Sequence, residues 1–162
     1  MVAVFPRHMG RISYWEKTLS SLNLKFYLRS DLSSPLIAPG IILWDVFGEL
    51  KAACEFASVV FVGGSLKPLG GQNVIEPSIH GAVTVTGPYY DDFAWAAEEM
   101  FKKGLLIRKN TWKAIAQTMA ESLLHPVNRK ERKALVQSHL QSKKGGTRQA
   151  CDEILKAFDL FA

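Results

Sequence analysis

Six short runs of mostly apolar residues recur along this chain and alternate with stretches of helical spacing. No other feature constrains the fold as strongly. The runs are apolar at consecutive positions, which is typical of strands in a parallel sheet that is covered on both faces. We therefore predict a doubly wound parallel α/β fold. The predicted strands are residues 2–5, 25–28, 41–43, 59–62, 82–85 and 105–107.

Helices are predicted between and after these strands from apolar spacing and end signals. We expect Glu49 in the first turn of the second helix, and Asn73 and Asn110 as N-caps of the third and fifth. Residues 30–40, with two prolines and three serines, are expected to form a loop. A chain of 162 residues, 48% of them hydrophobic, can bury one core, so we expect a single domain over residues 1–162. The predicted helices are residues 12–22, 48–57, 73–80, 91–103, 110–124, 128–142 and 148–161.

The stretch FVGGSLKPLGGQNVIEP, residues 61–77, carries the strongest signal for a ligand site. It reads as a strand, a loop with two Gly-Gly pairs and the start of a helix near Asn73. Glycines let the backbone turn sharply and approach a ligand closely. A helix N-terminus attracts anions, and the carboxylate of Glu76 can accept hydrogen bonds from the hydroxyls of a ribose. Two glycine pairs around one loop favour ligand binding over a strand–helix corner used only for packing.

Two further loops directly follow predicted strands, at residues 6–8 and 45–49. Ligands of doubly wound sheets bind beyond the carboxyl ends of the strands, so we expect these loops to converge with the glycine loop at one edge. Such a set would satisfy one anion and one sugar diol, as in a nucleoside monophosphate site. The contributing groups would be the side chains of Arg7, His8 and Glu76, the amides near Gly48 and Glu49, and the amides of Val74 and Ile75.

The rest of the composition excludes several classes of site. Cys54 and Cys151 lie far apart without a CxxC motif, so neither a disulfide framework nor a zinc site is expected. No residue pattern indicates nucleophilic or hydrolytic catalysis. No apolar run is long enough to span a bilayer, and no signal-peptide pattern is seen. His80, His125 and His139 are interpreted as structural.

The net charge of +5 is concentrated near the C-terminus. Seven basic residues against the single acid Glu131 lie between His125 and Arg148. The segment from Arg129 to Arg148 is either a solvated helix face or a contact for an anionic membrane surface. It lacks interleaved aromatic residues, so nucleic acid is not expected as a partner.

Four pieces of the chain resemble, in order and spacing, the C-terminal domain of the Kdo transferases (3-deoxy-D-manno-octulosonic acid transferases) of Gram-negative lipopolysaccharide biosynthesis. The resemblance covers most of the chain, and the third piece is the most specific. The pieces are PRH at residues 6–8, DVFGEL at 45–50, FVGGSLKPLGGQNVIEP at 61–77 and GPYYDDF at 87–93.

This resemblance implies the Rossmann-like C-terminal half of a GT-B glycosyltransferase, which holds the donor CMP-Kdo. It further implies transfer of Kdo to a lipid A precursor with inversion, on the cytoplasmic face of the bacterial inner membrane, without a cofactor or metal. The acceptor half of the family, with its general base, would precede this chain, so the chain itself should be soluble, bind CMP weakly and transfer nothing alone. The implied CMP contacts are Pro6, Arg7, Phe47, Gly48, Glu49, Asn73, Val74, Ile75 and Glu76.

Two departures from the family pattern accompany this resemblance. Gln72 stands where the family commonly has His, and residues 89–92 replace a His-Thr-Phe-Asn run. Two alternatives stay open beside the Kdo transferase interpretation. One is a GT-B donor domain for a UDP- or GDP-sugar, and the other is a basic module that binds a membrane surface or nucleic acid.

Overall fold

The computed structural model describes residues 1–34 and 38–159, in two compact units, Met1–Ala52 and Ala53–Ala162. Each unit contains a three-stranded parallel sheet. The predicted parallel α/β fold is confirmed, whereas the expectation of one domain stays a prediction. The middle of the predicted loop at residues 30–40 lies outside the described residues, as do the last two residues of the final predicted helix.

The first unit is built on strands β1 (Val2–Val4), β2 (Phe26–Leu28) and β3 (Ile41–Leu43). β3 is central and parallel to both neighbours. Helix α1 (Ile12–Ser21) connects β1 to β2 and buries Leu19. Ile42 and Leu43 are the buried residues of the central strand, as its apolar sequence requires. Helix α2 (Leu50–Phe56) then runs from the first unit into the second.

The second unit contains β4 (Val59–Val62), β5 (Val83–Thr86) and β6 (Ile107–Arg108), in the order β4-β5-β6. Helix α3 (Ile75–Ile79) joins β4 to β5, and α4 (Ala94–Lys102) joins β5 to β6. Three helices follow: α5 (Trp112–Leu124), α6 (Arg129–Gln141) and α7 (Gly146–Asp159). Every residue of the central strand β5 is buried, which is expected of a parallel strand with helices on both faces.

The side chains of β5 show how those two faces are covered. Val83 and Val85 pack with Ile115 of α5 in one apolar cluster. On the other face, the Thr84 hydroxyl accepts a hydrogen bond from the Ser78 hydroxyl of α3 at 2.9 Å. The larger cluster contains Val62 and residues from the segments around α3, α4 and α6. The sheet therefore lies between α5 and a layer that includes α3.

Several predicted boundaries are wrong for identifiable reasons. The second helix begins at Leu50, because Gly48 has φ +87° and cannot lie in a right-handed helix. The N-cap of α5 is Thr111, whose hydroxyl accepts from the Ala114 amide at 3.2 Å, and not Asn110. The last predicted strand is shifted to Ile107–Arg108, with Leu105 and its neighbour buried in the core before it. Among the described helices, none combines the length and apolar character needed to cross a membrane.

Candidate functional site

The glycine loop follows β4 directly, as the sequence predicts. Gly64, Gly70 and Gly71 have φ values of +71°, +78° and +77°, in the left-handed region that favours glycine. Gly63 is not in that region. The two glycine pairs therefore fix the course of the loop mainly through three of their four residues.

Sequence reasoning missed the structural role of Ser65, which lies within this loop. It is fully buried, and its hydroxyl donates to the Val62 carbonyl at 2.5 Å and accepts from the Gly87 amide at 2.8 Å. Its carbonyl accepts from the Tyr89 amide at 3.0 Å. Ser65 thus joins the loop after β4 to the loop after β5. The signal in the sequence was its position directly after a glycine pair, which is equally typical of a ligand-binding serine.

The segment at residues 87–93 packs along the second glycine pair. The Asp92 amide donates to the Gly70 carbonyl at 3.1 Å, and a side chain at Gly71 would approach the Tyr89 carbonyl to 3.0 Å. Tyr90 is buried, and its hydroxyl donates to Glu98 at 2.7 Å. The YYDD sequence, which departs from the family pattern, is therefore built into the core and the loop contacts of this unit.

The N-cap residue of α3 is Val74 rather than the predicted Asn73, but the side chain of Asn73 supplies the capping hydrogen bonds from one residue earlier. Its side-chain oxygen accepts from the amides of Ile75 at 2.9 Å and Glu76 at 3.3 Å. Val74 is fully buried in the apolar cluster. The expected ligand-binding amides of Val74 and Ile75 are thus buried or already bonded in this structure. The carboxylate of Glu76, which is half-buried, has no hydrogen-bond partner among the described residues.

In the first unit, the loops after β1 and β3 lie side by side because these strands are parallel neighbours. The Trp44 amide donates to the Val4 carbonyl at 2.8 Å, and the rings of Phe5 and Trp44 stack at 4.5 Å. Arg7, two residues beyond Phe5, is exposed. The structure therefore brings the first two predicted loops together.

Glu49 lies before α2 rather than in its first turn. Its carboxylate accepts from Arg29 at 2.8 and 3.0 Å and from the Trp44 indole at 3.1 Å. The Glu49 carboxylate thus anchors the loop after β3, and the predicted nucleotide contact at Glu49 stays a prediction. Next to it, Gly48 has open space where a side chain would be, and Phe47 is 81% exposed.

The same loop is held at its other end by Asp45. Its two carboxylate oxygens accept from the Ser30 amide at 2.9 Å and from the Ser30 hydroxyl at 2.5 Å. Desolvation acts to raise the pKa of Asp45, but these hydrogen bonds outweigh it and hold the pKa below its usual value. Asp45 is therefore ionised at neutral pH and serves to fix the loop.

Two arginines of the basic segment have structural roles. Arg129 donates to the carbonyls of Cys54 at 2.9 Å, Ala57 at 2.8 Å and His80 at 3.0 Å. It thereby satisfies carbonyls at the C-terminal ends of α2 and α3, which lack helical partners. Arg132 donates to the Leu105 carbonyl at 2.6 Å, and burial lowers the pKa of its guanidinium. The guanidinium groups of Arg129 and Arg132 are therefore not free to bind an anionic partner.

The predicted residues are therefore found in two groups. Pro6, Arg7 and residues 47–49 belong to the first unit, and residues 73–76 belong to the second. Pro6 and Arg7 follow the carboxyl end of β1, residues 47–49 that of β3, and residues 73–76 that of β4. Their convergence on one ligand stays a prediction. Among the described residues, no cluster of His, Cys, Asp and Glu side chains could hold a metal ion.

Comparison with known proteins finds several similar proteins that share one name. No family model matches the chain. A 3-deoxy-D-manno-octulosonic acid transferase from Bordetella pertussis is 27% identical over 158 residues, which is 95% of this chain and 36% of the relative. The transferase of the same name from Haemophilus influenzae is 25% identical over 98% of this chain and 37% of its own length. The chain thus spans about a third of the curated relatives that it matches.

Among solved structures, the chain matches the crystal structure of the C-terminal CMP-Kdo binding domain of WaaA from Acinetobacter baumannii. The TM-score is 0.78 and the sequence identity 29%. The match covers 86% of this chain and 72% of that domain.

Proposed function

Because this chain is related over nearly its whole length to Kdo transferases, and shares the fold of a CMP-Kdo binding domain, we propose that it is the donor-binding part of such an enzyme. The structural match to that domain is the observation that carries the proposal. The glycine loop supports it, since three hydrogen bonds to Ser65 and Gly70 hold it against the loop after β5. Such a fixed loop is what a preorganised binding site requires.

We assign the nucleotide contacts to the groups that the structure leaves accessible. In the second unit these are the side-chain NH2 group of Asn73, whose oxygen caps α3, and the Glu76 carboxylate, which would accept hydrogen bonds from the ribose hydroxyls. In the first unit, Arg7 offers a fork of donors that suits a phosphate, and Gly48 allows close backbone approach. Glu49 acts indirectly, because its bonds to Arg29 hold the backbone beside Gly48.

For the complete enzyme, we propose transfer of Kdo from CMP-Kdo to a lipid A precursor with inversion at the anomeric carbon. Negative charge grows on the CMP phosphate as the bond to the sugar breaks, and the Arg7 guanidinium would stabilise that charge. The general base would come from the half of the enzyme that the relatives have beyond this chain, so the chain alone transfers nothing. The enzyme would lie at the cytoplasmic face of the inner membrane, with exposed lysines of residues 129–148 as an accessory contact.

Calorimetry of the isolated chain with CMP tests donor binding. We expect weak binding that Glu76→Ala reduces by about tenfold or more, since a hydrogen bond to a charged group contributes roughly 1.5–3 kcal/mol. Glu131→Ala, which removes an exposed carboxylate elsewhere in the second unit, should leave the affinity unchanged. Absence of CMP binding by the folded chain would refute the proposal, and stronger competition by UDP or GDP would favour a nucleoside-diphosphate sugar as donor.

The role of Arg7 requires the full-length enzyme. Removing one donor to a developing oxyanion typically costs about a hundredfold in rate. We therefore expect Arg7→Ala to lower kcat by about that factor, with Arg11→Ala as the control because Arg11 is a second exposed arginine of the same unit. An unchanged rate in the Arg7 variant would remove Arg7 from catalysis without affecting the binding proposal.

A further inference from the structure

A second candidate site lies in the second unit, away from the glycine loop. It is a cavity of about 510 Å³ next to Arg129. The carbonyls that Arg129 binds precede β4 and β5, so this cavity is at the amino ends of these strands, whereas the glycine loop follows the carboxyl end of β4. Its lining residues are Glu55, Phe56, His80, Arg129, Lys130 and Lys133.

The lining has three basic side chains and one acidic side chain, and two of the basic ones are not bonded to the rest of the protein. Arg129 is engaged by backbone carbonyls. Lys130 and Lys133, in the first turns of α6, form no ion pair or hydrogen bond with any described residue. Positive side chains near a helix N-terminus are disfavoured by the helix dipole. A bound anion would pair with the two lysines and would also be attracted by the N-terminal end of the helix. It would therefore offset the repulsion between the lysines and the helix dipole.

His80 provides an independent indication of a missing ligand. Its Nδ1 atom is buried and has no hydrogen-bond partner among the described residues. The Glu55 carboxylate is 3.7 Å away, which is too long for a hydrogen bond. Buried polar groups without partners are rare in folded proteins and call for an explanation. An oxygen-rich anion would supply the acceptor once the Glu55 side chain, which is 51% exposed, turns away.

We propose that this cavity binds a phosphate group, with Lys130 and Lys133 as its ion-pair partners and His80 Nδ1 as a hydrogen-bond donor. The phosphate can belong to an anionic lipid headgroup or to a soluble phosphate ester. The lipid is favoured by Phe56, a residue that lines the same cavity and is 85% exposed. The site deepens the membrane contact proposed above and is independent of nucleotide binding.

The test uses the full chain with two probes. Inorganic phosphate is titrated while the imidazole signals of His80 are followed by NMR. Vesicles of phosphatidylcholine alone, or of phosphatidylcholine with roughly 30% phosphatidylglycerol, are tested by sedimentation. On the vesicles, each surface lysine contributes about fivefold in binding, so K130Q/K133Q should bind roughly thirtyfold more weakly. Glu55→Gln should bind both probes more tightly, because it removes the only carboxylate of the lining.

The double variant K144Q/R148Q is the matched control. It removes two exposed charges from the same basic segment but from outside the cavity. If it weakens binding as much as K130Q/K133Q, the attraction is a property of net charge and the proposal fails. It also fails if phosphate leaves the His80 signals unchanged and K130Q/K133Q binds the anionic vesicles as tightly as the unsubstituted chain, or if Glu55→Gln does not strengthen binding.

Movement of the His80 signals by phosphate without vesicle binding would support the site and assign it to a soluble ester. Binding of the anionic vesicles would assign it to the lipid. CMP affinity, measured in parallel on the same variants, should not change. Failure of this site is therefore distinguishable from failure of the donor-binding proposal.

Discussion

Replacing Gly87 by alanine should destabilise the second unit strongly. A Cβ at this position would lie 2.1 Å from the Ser65 carbonyl oxygen and 2.5 Å from its carbonyl carbon. Both atoms belong to the backbone of the loop after β4, so no side-chain rotation can relieve the contact. The φ of Gly87 is not in the left-handed region, and the expected effect therefore comes from this contact alone.

The magnitude follows from the contacts that must move. Forcing an extra carbon into a packed interior typically costs about 1–3 kcal/mol. Separating the two loops also weakens the bond from the Gly87 amide to the Ser65 hydroxyl and that from the Tyr89 amide to the Ser65 carbonyl. Each of these contributes about 1 kcal/mol net. We therefore expect a loss of roughly 3–5 kcal/mol, a large part of the ~5–15 kcal/mol that stabilises a typical protein.

Urea unfolding followed by circular dichroism measures this loss. Gly63→Ala is the matched control, since it places the same methyl group in the partner loop without a left-handed φ. Its nearest neighbour would be the Gln72 side chain at an ordinary 3.7 Å. We expect that control to change the unfolding free energy by less than about 1 kcal/mol. If Gly87→Ala were as stable as Gly63→Ala, the two loops would not be locked together as described.

Three further predictions concern the helices of the second unit. Arg129→Met removes three hydrogen bonds to backbone carbonyls and should lower the unfolding free energy by about 3 kcal/mol, whereas Lys144→Met on the exposed surface should change it by less than about 0.5 kcal/mol in the same urea titration. Thr111→Ala removes the N-cap of α5 and should cost about 1 kcal/mol, with rescue by Thr111→Ser; equal stability of all three forms would contradict the cap. Burial, and then the nearby Lys103 ammonium, lower the pKa of His139, whose Nδ1 lies 2.9 Å from that ammonium. The neutral imidazole is thus favoured in the folded state, so its contribution is present above the unfolded pKa of about 6.5 and is lost as the pH falls through the lower folded value. The urea midpoint should therefore decrease as the pH falls from about 6.5 towards the lower folded pKa, and the decrease should be smaller in His139→Gln.

The glycine loop shows how far sequence reasoning reached. Its position after a strand, its left-handed glycines and the capping role of Asn73 were all predictable, because each depends on a few consecutive residues. The role of Ser65 was not, since its partner Gly87 is 22 residues away. A serine after a glycine pair looks the same in the sequence whether its hydroxyl bonds to a ligand or to another loop.

The first unit gives the corresponding example for a charged residue. Glu49 was expected in the first turn of the second helix, where an acid usually complements the helix dipole. Its true partner, Arg29, lies 20 residues earlier, at the end of β2. The pair forms because β2 and β3 are parallel neighbours, so the segments after both strands meet at the same edge. Strand order decided this contact, and strand order is not contained in local patterns.

The amino-acid sequence by itself determined the class of fold, the strand and helix segments within a few residues, and the resemblance to Kdo transferases. These depend on local periodicity, on glycine and capping chemistry, and on motifs of a few residues. Only the tertiary structure decided which polar groups are already satisfied and which are left for a ligand. The amide of Ile75, the carboxylate of Glu49 and the guanidinium of Arg129 are occupied, whereas the Glu76 carboxylate and His80 Nδ1 have no hydrogen-bond partner among the described residues. Hydrogen-bonded groups are close in space but can be far apart in the sequence. Which groups are bonded is therefore decided only once the strands have paired.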